Sequence, residues 1–287
     1  MNLTFLRKSK AKLKKVIKNL QPLHRPDFII VGAQKAGTSS LHFYLDQHPQ
    51  LSGSDPKELH YFSRDIHFNK SLSSYEKHFR GWDHNKYFES TPTYLYTPGA
   101  CKAIQHAYPN IKVIVVLRDP IKRAYSAWNM YKDFFEKDQV EDVIKSKQRR
   151  EGDLLYTKFY EGRDQFPSFR ECIEIELDLI KSNKSFEPAL LRRGLYLEQL
   201  NHYWKNFGKS NVLILGFTDL VKDTENTLKK TTDFLGVEDL GWSFLNTEPR
   251  NTRNYSEPIT ESDKQLLEDF YTKPNRELFE AIEHINW

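Results

Sequence analysis

Two apolar spacings alternate along the chain. Uninterrupted runs rich in Val and Ile, at Phe28 to Val31, Ile111 to Leu117 and Asn211 to Phe217, have the length of strands buried on both faces. Between them, apolar side chains recur three and four residues apart. Leu41, Tyr44 and Leu45 form the inner stripe of a first helix ending around Gln47-His48-Pro49. A second runs through Arg123-Ala124-Tyr125-Ser126-Ala127-Trp128, with Pro120 in its first turn. A third follows Arg193-Gly194-Leu195-Tyr196 and carries Trp204 and Phe207, and a fourth spans Thr224 to Leu235 and closes on Gly236. Strands alternating with helices predict an α/β fold, a central parallel sheet flanked by helices.

Shorter patterns fill the gaps. Lys86 to Tyr96 reads as a short strand running into a turn at Pro92. Lys57 to Phe62, if extended, places Glu58, His60 and Phe62 on one side and Lys57, Leu59 and Tyr61 on the other. Residues 133 to about 190 are more highly charged and are expected to form helices and loops over a cleft, a place for acceptor selectivity. Glu248 to Tyr255 reads as a polar loop ahead of two final helices.

A chain of 287 residues with 38% apolar and 14% aromatic side chains can bury one large core, which predicts one domain. The net charge of +4 conceals an asymmetry. Eight of the 43 basic residues fall in residues 1 to 26, which hold no acid, leaving 35 basic against 39 acidic residues in the body from 27 to 287. A mildly acidic body argues against a cationic groove for nucleic acid. In the basic arm, Leu13, Val16, Ile17 and Leu20 are interleaved with lysines, so the arm suits an amphipathic helix and neither a secretory signal nor a membrane span. Such an arm is either solvated or rests on anionic lipid or a polyanion as a peripheral contact. The two cysteines, Cys101 and Cys172, each fall in a helical pattern, which predicts free buried thiols in a reducing, cytoplasmic compartment. No His-Glu-x-x-His occurs and no Cys pairs with His at ligand spacing, so no metal site is expected.

The chemistry gathers at two strand-to-helix junctions. At the first, Gly32-Ala33-Gln34-Lys35-Ala36-Gly37-Thr38-Ser39 has the makings of a phosphate loop. Gly32 and Gly37 let backbone N–H groups approach an anion, Thr38 and Ser39 add hydroxyls at a helix N-terminus, and Lys35 brings a full charge. A nucleoside triphosphatase loop places its Lys directly before the Ser/Thr; here Lys35 precedes Gly37. At the second junction, Arg118 ends a strand and Ser126 lies about two turns into the next helix, so both can flank one anion. A planar, permanently charged guanidinium suits a phosphate that is recognised but not transferred.

Gly-x-x-Lys-x-Gly-Thr after a strand resembles the 5′-phosphosulfate loop of the sulfotransferases, specifically the branch that sulfates heparan-type glycans. Arg118-Asp119-Pro120-x-x-Arg123-Ala124-x-Ser126 resembles the second signature of the same family. The resemblance covers roughly residues 27 to 287 and implies a sulfotransferase domain with a P-loop nucleotide-hydrolase-like fold. It further implies sulfuryl transfer from 3′-phosphoadenosine 5′-phosphosulfate to a hydroxyl or amine of a carbohydrate acceptor, leaving adenosine 3′,5′-bisphosphate and using no metal. Lys35, Ala36, Gly37, Thr38 and Ser39 would then hold the 5′ end, and Arg118 and Ser126 the 3′-phosphate. Tyr196, in a Gly-x-Tyr element, and Arg250 and Arg253, in the late polar loop, are further candidate nucleotide contacts. Lys57-Glu58-x-His60-aromatic-Phe62 resembles the segment whose Glu is the base; Glu58 occupies that place and His60 is the competing base.

Two departures qualify the resemblance. Ser90 stands where many relatives carry Lys, and the late loop lacks the family's Gly and the glycan branch's cysteine pair. An ATP- and magnesium-dependent small-molecule kinase and a non-catalytic nucleotide- or polyanion-binding module remain the alternative readings, and the oligomeric state has no signal in the sequence.

Overall fold

The computed structural model describes residues 21–63, 71–81, 85–139, 154–181, 189–242, 246, 248 and 258–287. Strands β1 (Phe28–Gly32), β2 (Leu51–Gly53), β3 (Lys86–Ser90), β4 (Lys112–Leu117) and β5 (Val212–Gly216) form one sheet in the order β2-β3-β1-β4-β5. All four pairings are parallel, with Phe28 opposite Phe88 on one side and Lys112 on the other. Strand β1 is buried along its whole length, as its β-branched run requires. The chain leaves β1 toward β2 and β3 and later returns to its other side for β4. In such sheets the crevice beyond the C-terminal ends of the two strands at the reversal is the ligand position, and here those strands are β1 and β4.

Helix α1 (Thr38–Leu45) follows β1, α2 (Ser73–Glu76) precedes β3, α3 (Ala100–Ala107) joins β3 to β4, and α4 (Pro120–Glu136) leaves β4. Helices α5 (Leu154–Tyr160), α6 (Phe169–Lys181) and α7 (Tyr196–Phe207) come before β5; α8 (Phe217–Lys222), α9 (Thr224–Leu235) and α10 (Glu261–Ala281) come after it. The main core packs the sheet against residues such as Leu41 and Leu45 of α1, Ile104 of α3 and Leu200 and Tyr203 of α7. A second apolar cluster joins Ala127, Trp128 and Tyr131 of α4 to Phe159, Phe169, Cys172 and, from α10, Leu267 and Tyr271. The described part of residues 133–190 is therefore helical and docked on α4 and α10.

Several expectations change. The two final helices are one: α10 runs through Pro274, capped at its start by Thr260, whose hydroxyl accepts from the Asp263 N–H at 3.1 Å. Strand β5 stops at Gly216, and Phe217 opens α8. Residues 57 to 63 form no strand, because His60 sits at φ 54 in the left-handed region and breaks the alternation. The body begins slightly earlier than residue 27, since the His24 N–H donates to the Phe79 carbonyl at 2.9 Å and its ring stacks on Tyr87 at 4.2 Å. Cys101 and Cys172 are buried free thiols. The amphipathic arm up to residue 20, Arg250 and Arg253 lie outside the described residues.

Candidate active site

The phosphate loop owes its shape to two glycines. At Gly32 a Cβ would lie 2.6 Å from the Leu95 Cβ, and the Leu95 N–H donates to the Val31 carbonyl at 2.8 Å, so the turn after β3 closes directly onto the end of β1. Gly37, at φ 83, caps α1 in the left-handed region, where a Cβ would meet the Phe217 ring at 3.0 Å. Between them Lys35 also takes a positive φ of 68. The loop thus leads into the start of α1, where Thr38 is buried and the first-turn amides lie at the positive end of the helix dipole.

Arg118 arrives at the same rim from β4. Its Nη1 donates to the Lys35 carbonyl at 2.9 Å, and its guanidinium lies over the Phe217 ring, 4.6 Å from the centroid. The Tyr196 hydroxyl donates to the Arg118 carbonyl at 2.7 Å. Burial pushes the Tyr196 phenol up to about 12, so it stays a neutral donor. Ser126 is buried on α4, two turns along from Arg118. Helix α4 starts cleanly because the Asp119 carboxylate accepts from the Lys122 N–H at 2.8 Å with Pro120 behind it. Below Tyr196, the fully buried Glu176 accepts the N–H groups of Leu190, Leu191 and Arg192 at 2.6, 2.8 and 2.8 Å. The equally buried Arg123 donates to the Leu190 carbonyl, so it braces the segment leading into Tyr196 and is no surface charge.

A second group of side chains follows β2. The Glu58 carboxylate pairs through one oxygen with Lys57 Nζ at 2.8 Å and through the other with His60 Nε2 at 3.3 Å, while 39% of its side chain stays accessible. Burial works to raise its pKa, but the His60 hydrogen bond and the Lys57 charge prevail and hold it down to about 2. His60 Nδ1 faces the hydroxyls of Ser63 and Thr93 at 3.2 and 3.4 Å. In the tautomer whose Nε2–H donates to Glu58, Nδ1 accepts from the Thr93 hydroxyl, since the Ser63 proton goes to the His60 carbonyl, and both ring nitrogens are engaged. Next to this pair, Ser90 Oγ meets His42 Nδ1 at 2.9 Å, and burial, followed by the Lys57 charge, lowers the His42 pKa to about 3. Ser90 and His42 therefore form a neutral buried pair.

The loop carrying Glu58 and His60 rests on Glu89, at the end of β3 and fully buried. Glu89 accepts from the hydroxyls of Tyr75, Thr91 and Tyr94 at 2.7, 2.8 and 3.0 Å and from the Leu59 N–H. Burial raises its pKa to about 7 against the pull of those donors. Tyr94 is a core residue, whereas Tyr96 lies under the Arg193 guanidinium at 4.6 Å. Arg118 thus contacts the Lys35 carbonyl, the Tyr196 hydroxyl and the Phe217 ring, the loop running on through Ala36 to Gly37, which also abuts that ring, and Glu58 meets His60 beside Thr93. Sequence reasoning missed Phe217 and Glu89. Phe217 was reachable as the residue ending a buried run at the sheet's ligand rim; an acid at the end of a buried strand among tyrosines was the signal for Glu89. A cavity of about 430 Å³ opens beyond the turn, lined by Leu95, Tyr96, Lys102, Arg192, His202 and Tyr203. It contains none of the predicted site residues. Among the described residues, no group of three or more His, Cys, Asp or Glu could hold a metal ion.

A family model described as the sulfotransferase domain matches residues 25–273. The chain belongs to the sulfotransferase domain family. The sulfotransferase of Alicyclobacillus acidocaldarius, known from a crystal structure, superposes with a TM-score of 0.62 at 25% identity, covering 88% of this chain and 93% of that one. The membrane-associated sulfotransferase kil1 of Dictyostelium discoideum is 24% identical over 90% of this chain and 65% of its own length. Human heparan sulfate glucosamine 3-O-sulfotransferase 6 is 28% identical over 74% of this chain and 53% of its own length. The chain spans about half to two thirds of the length of these curated sulfotransferases.

Proposed function

We propose that this chain transfers the sulfuryl group of 3′-phosphoadenosine 5′-phosphosulfate to a hydroxyl of a glycan, with Glu58 as the base. The observation that carries this is the 2.9 Å hydrogen bond from Arg118 to the Lys35 carbonyl, which joins two anion-binding elements on one rim. Two phosphate groups on one adenosine need that arrangement, and the Phe217 ring under the Arg118 guanidinium steadies that charge beside the loop. Lys35 neutralises charge on the leaving 5′-phosphate, Gly37, Thr38 and Ser39 supply loop donors, and Arg118 with Ser126 holds the 3′-phosphate, supported by Tyr196. Arg250 and Arg253 are retained as candidate contacts to the same phosphate.

Glu58 takes the acceptor proton as the acceptor oxygen bonds to sulfur and the bond from sulfur to the 5′-phosphate oxygen breaks. His60, with both nitrogens engaged, orients Glu58. A sulfuryl group carries less charge than a terminal phosphoryl group, so Lys35 suffices and no metal takes part. Family membership favours this reading over a kinase. The glycan acceptor is supported by the name of the human relative; the basic arm and the membrane-associated name of the Dictyostelium relative support a peripheral membrane contact. Among the described residues, no helix is long and apolar enough to cross a membrane.

The test is transfer of labelled sulfate from the donor to heparan-type oligosaccharides, in the presence of EDTA. Lys35→Ala and Glu58→Gln should each reduce turnover by about 10² or more. Calorimetry should find adenosine 3′,5′-bisphosphate binding intact in Glu58→Gln and weakened in Arg118→Ala. Wild-type turnover in Glu58→Gln would remove that residue from the base role.

A further inference from the structure

We infer that Glu89 is a positioning residue: a buried carboxyl group whose ionised form holds the Glu58–His60 loop in its working geometry through three backbone amides. One contact is direct, from the Leu59 N–H. The other two are relayed. The Thr91 hydroxyl has one proton, directed to Glu89 Oε2 at 2.8 Å, so its lone pairs are left to accept the His60 N–H at 3.3 Å. The Tyr94 hydroxyl proton goes to Glu89 Oε1 at 3.0 Å, and its oxygen accepts the Phe62 N–H at 3.3 Å. Tyr75, from α2, completes the shell at 2.7 Å.

When ionised, Glu89 only accepts, so it sets the direction of every hydroxyl proton around it, and that direction creates the acceptors for His60 and Phe62. His60 occupies a left-handed φ of 54, a region few non-glycine residues enter and one with a conformational cost, so the loop gains from such a hold. The segment is tied at its other end as well: the Lys57 carbonyl accepts from Ser54 Oγ at 3.1 Å. Replacing Glu89 by Gln keeps the shape but adds an NH₂ donor, which must face either the Leu59 N–H or a hydroxyl proton.

The positional half of this inference stands by itself; the catalytic half rests on the sulfotransfer reading. Hydrogen–deuterium exchange of the full chain without ligands tests the first, and steady-state sulfate transfer the second. In Glu89→Gln, the amides of Leu59, His60 and Phe62 should exchange about tenfold faster or more, with β1 and β4 unchanged. Turnover should fall about tenfold or more while the donor KM stays within about twofold, a split that general loss of folded protein does not produce. Unchanged exchange at the three amides, or loosened amides with unchanged turnover, overturns the inference. Should Glu89→Gln unfold, Thr91→Val removes the acceptor of the His60 N–H alone: faster exchange at His60 upholds the relay and unchanged exchange refutes it. If the wild-type chain transfers no sulfate, the exchange data still judge the hold of Glu89 on the loop, so the two failures are told apart.

Discussion

Glu58 faces a conflict between two demands on a base. A carboxylate held down to about 2 by His60 and Lys57 is certain to be ionised, yet it is a weak proton acceptor while both partners stay on it. In the proposed reaction the conflict is resolved if the acceptor hydroxyl replaces the Lys57 contact on the accessible side of Glu58, freeing Oε1 to take the proton. The pH dependence follows from the sign of the shift. Because its pKa in the folded chain lies below the ordinary value of 4.5, the Glu58 pairing adds stability above that value and loses it as pH falls toward about 2. As the base, Glu58 should contribute no acid limb of its own between about pH 8 and about pH 5, and a limb near pH 7 that is lost in Glu89→Gln belongs to Glu89. A limb in that range that persists in Glu89→Gln and disappears in His60→Gln would transfer the base role to His60. Both residues were legible in the chain as a motif, but the way they meet was not. Extended backbone would have aligned them on one side; a left-handed turn at His60 brings them together instead, and nothing in the local sequence marks a histidine for that conformation.

At the level of elements, the β1 end, the turn after β3 and the start of α8 meet where side chains have been removed. Gly32 makes room for Leu95 and Gly37 for Phe217. Gly32→Ala would place its Cβ 2.6 Å from the Leu95 Cβ, close to the backbone of a turn that is itself bonded to Val31. Overpacking of this kind costs about 1–3 kcal/mol, to be read from urea denaturation. Combining it with Leu95→Gly, which removes both the Cβ at 2.6 Å and the Cδ2 at 2.9 Å, should cost less than the sum of the single changes; strict additivity would show that the two do not compete for one space. The strands and most helices were readable because each carries its own apolar period. Helix α10 was not: Pro274 reads as a break, but buried Leu267, Tyr271 and Leu278 lie on one face across it, and their packing keeps the helix continuous. Phe217 was assigned to a strand for a related reason, since its burial against Gly37 and Arg118 is a tertiary fact with no local signature.

For the whole molecule, the sheet order decides the function. The sequence implied parallel strands and two anion-binding junctions, but the placement of β4 beside β1, with β3 on the other side, comes only from pairing. That neighbourhood puts Lys35 and Arg118 on one rim, and distant segments then secure it. Asn286 donates through its backbone N–H and its side chain to Asp219 at 2.9 and 2.7 Å, fixing the start of α8, and Trp287 lies 6.0 Å from the Tyr196 ring. A ligand touching all these segments should stabilise the molecule as a unit. Adenosine 3′,5′-bisphosphate at a hundred times its Kd adds about 2.7 kcal/mol, which for a chain of this size raises Tm by about 4–5 °C. ATP with magnesium, which has no 3′-phosphate for Arg118, should raise it less. Lys35→Ala and Arg118→Ala should each diminish the bisphosphate shift, because each removes one of the two anion contacts. A shift that favours ATP with magnesium, or one that survives both substitutions, would mean that this rim does not recognise a doubly phosphorylated adenosine, and sulfuryl transfer by this chain would have to be given up.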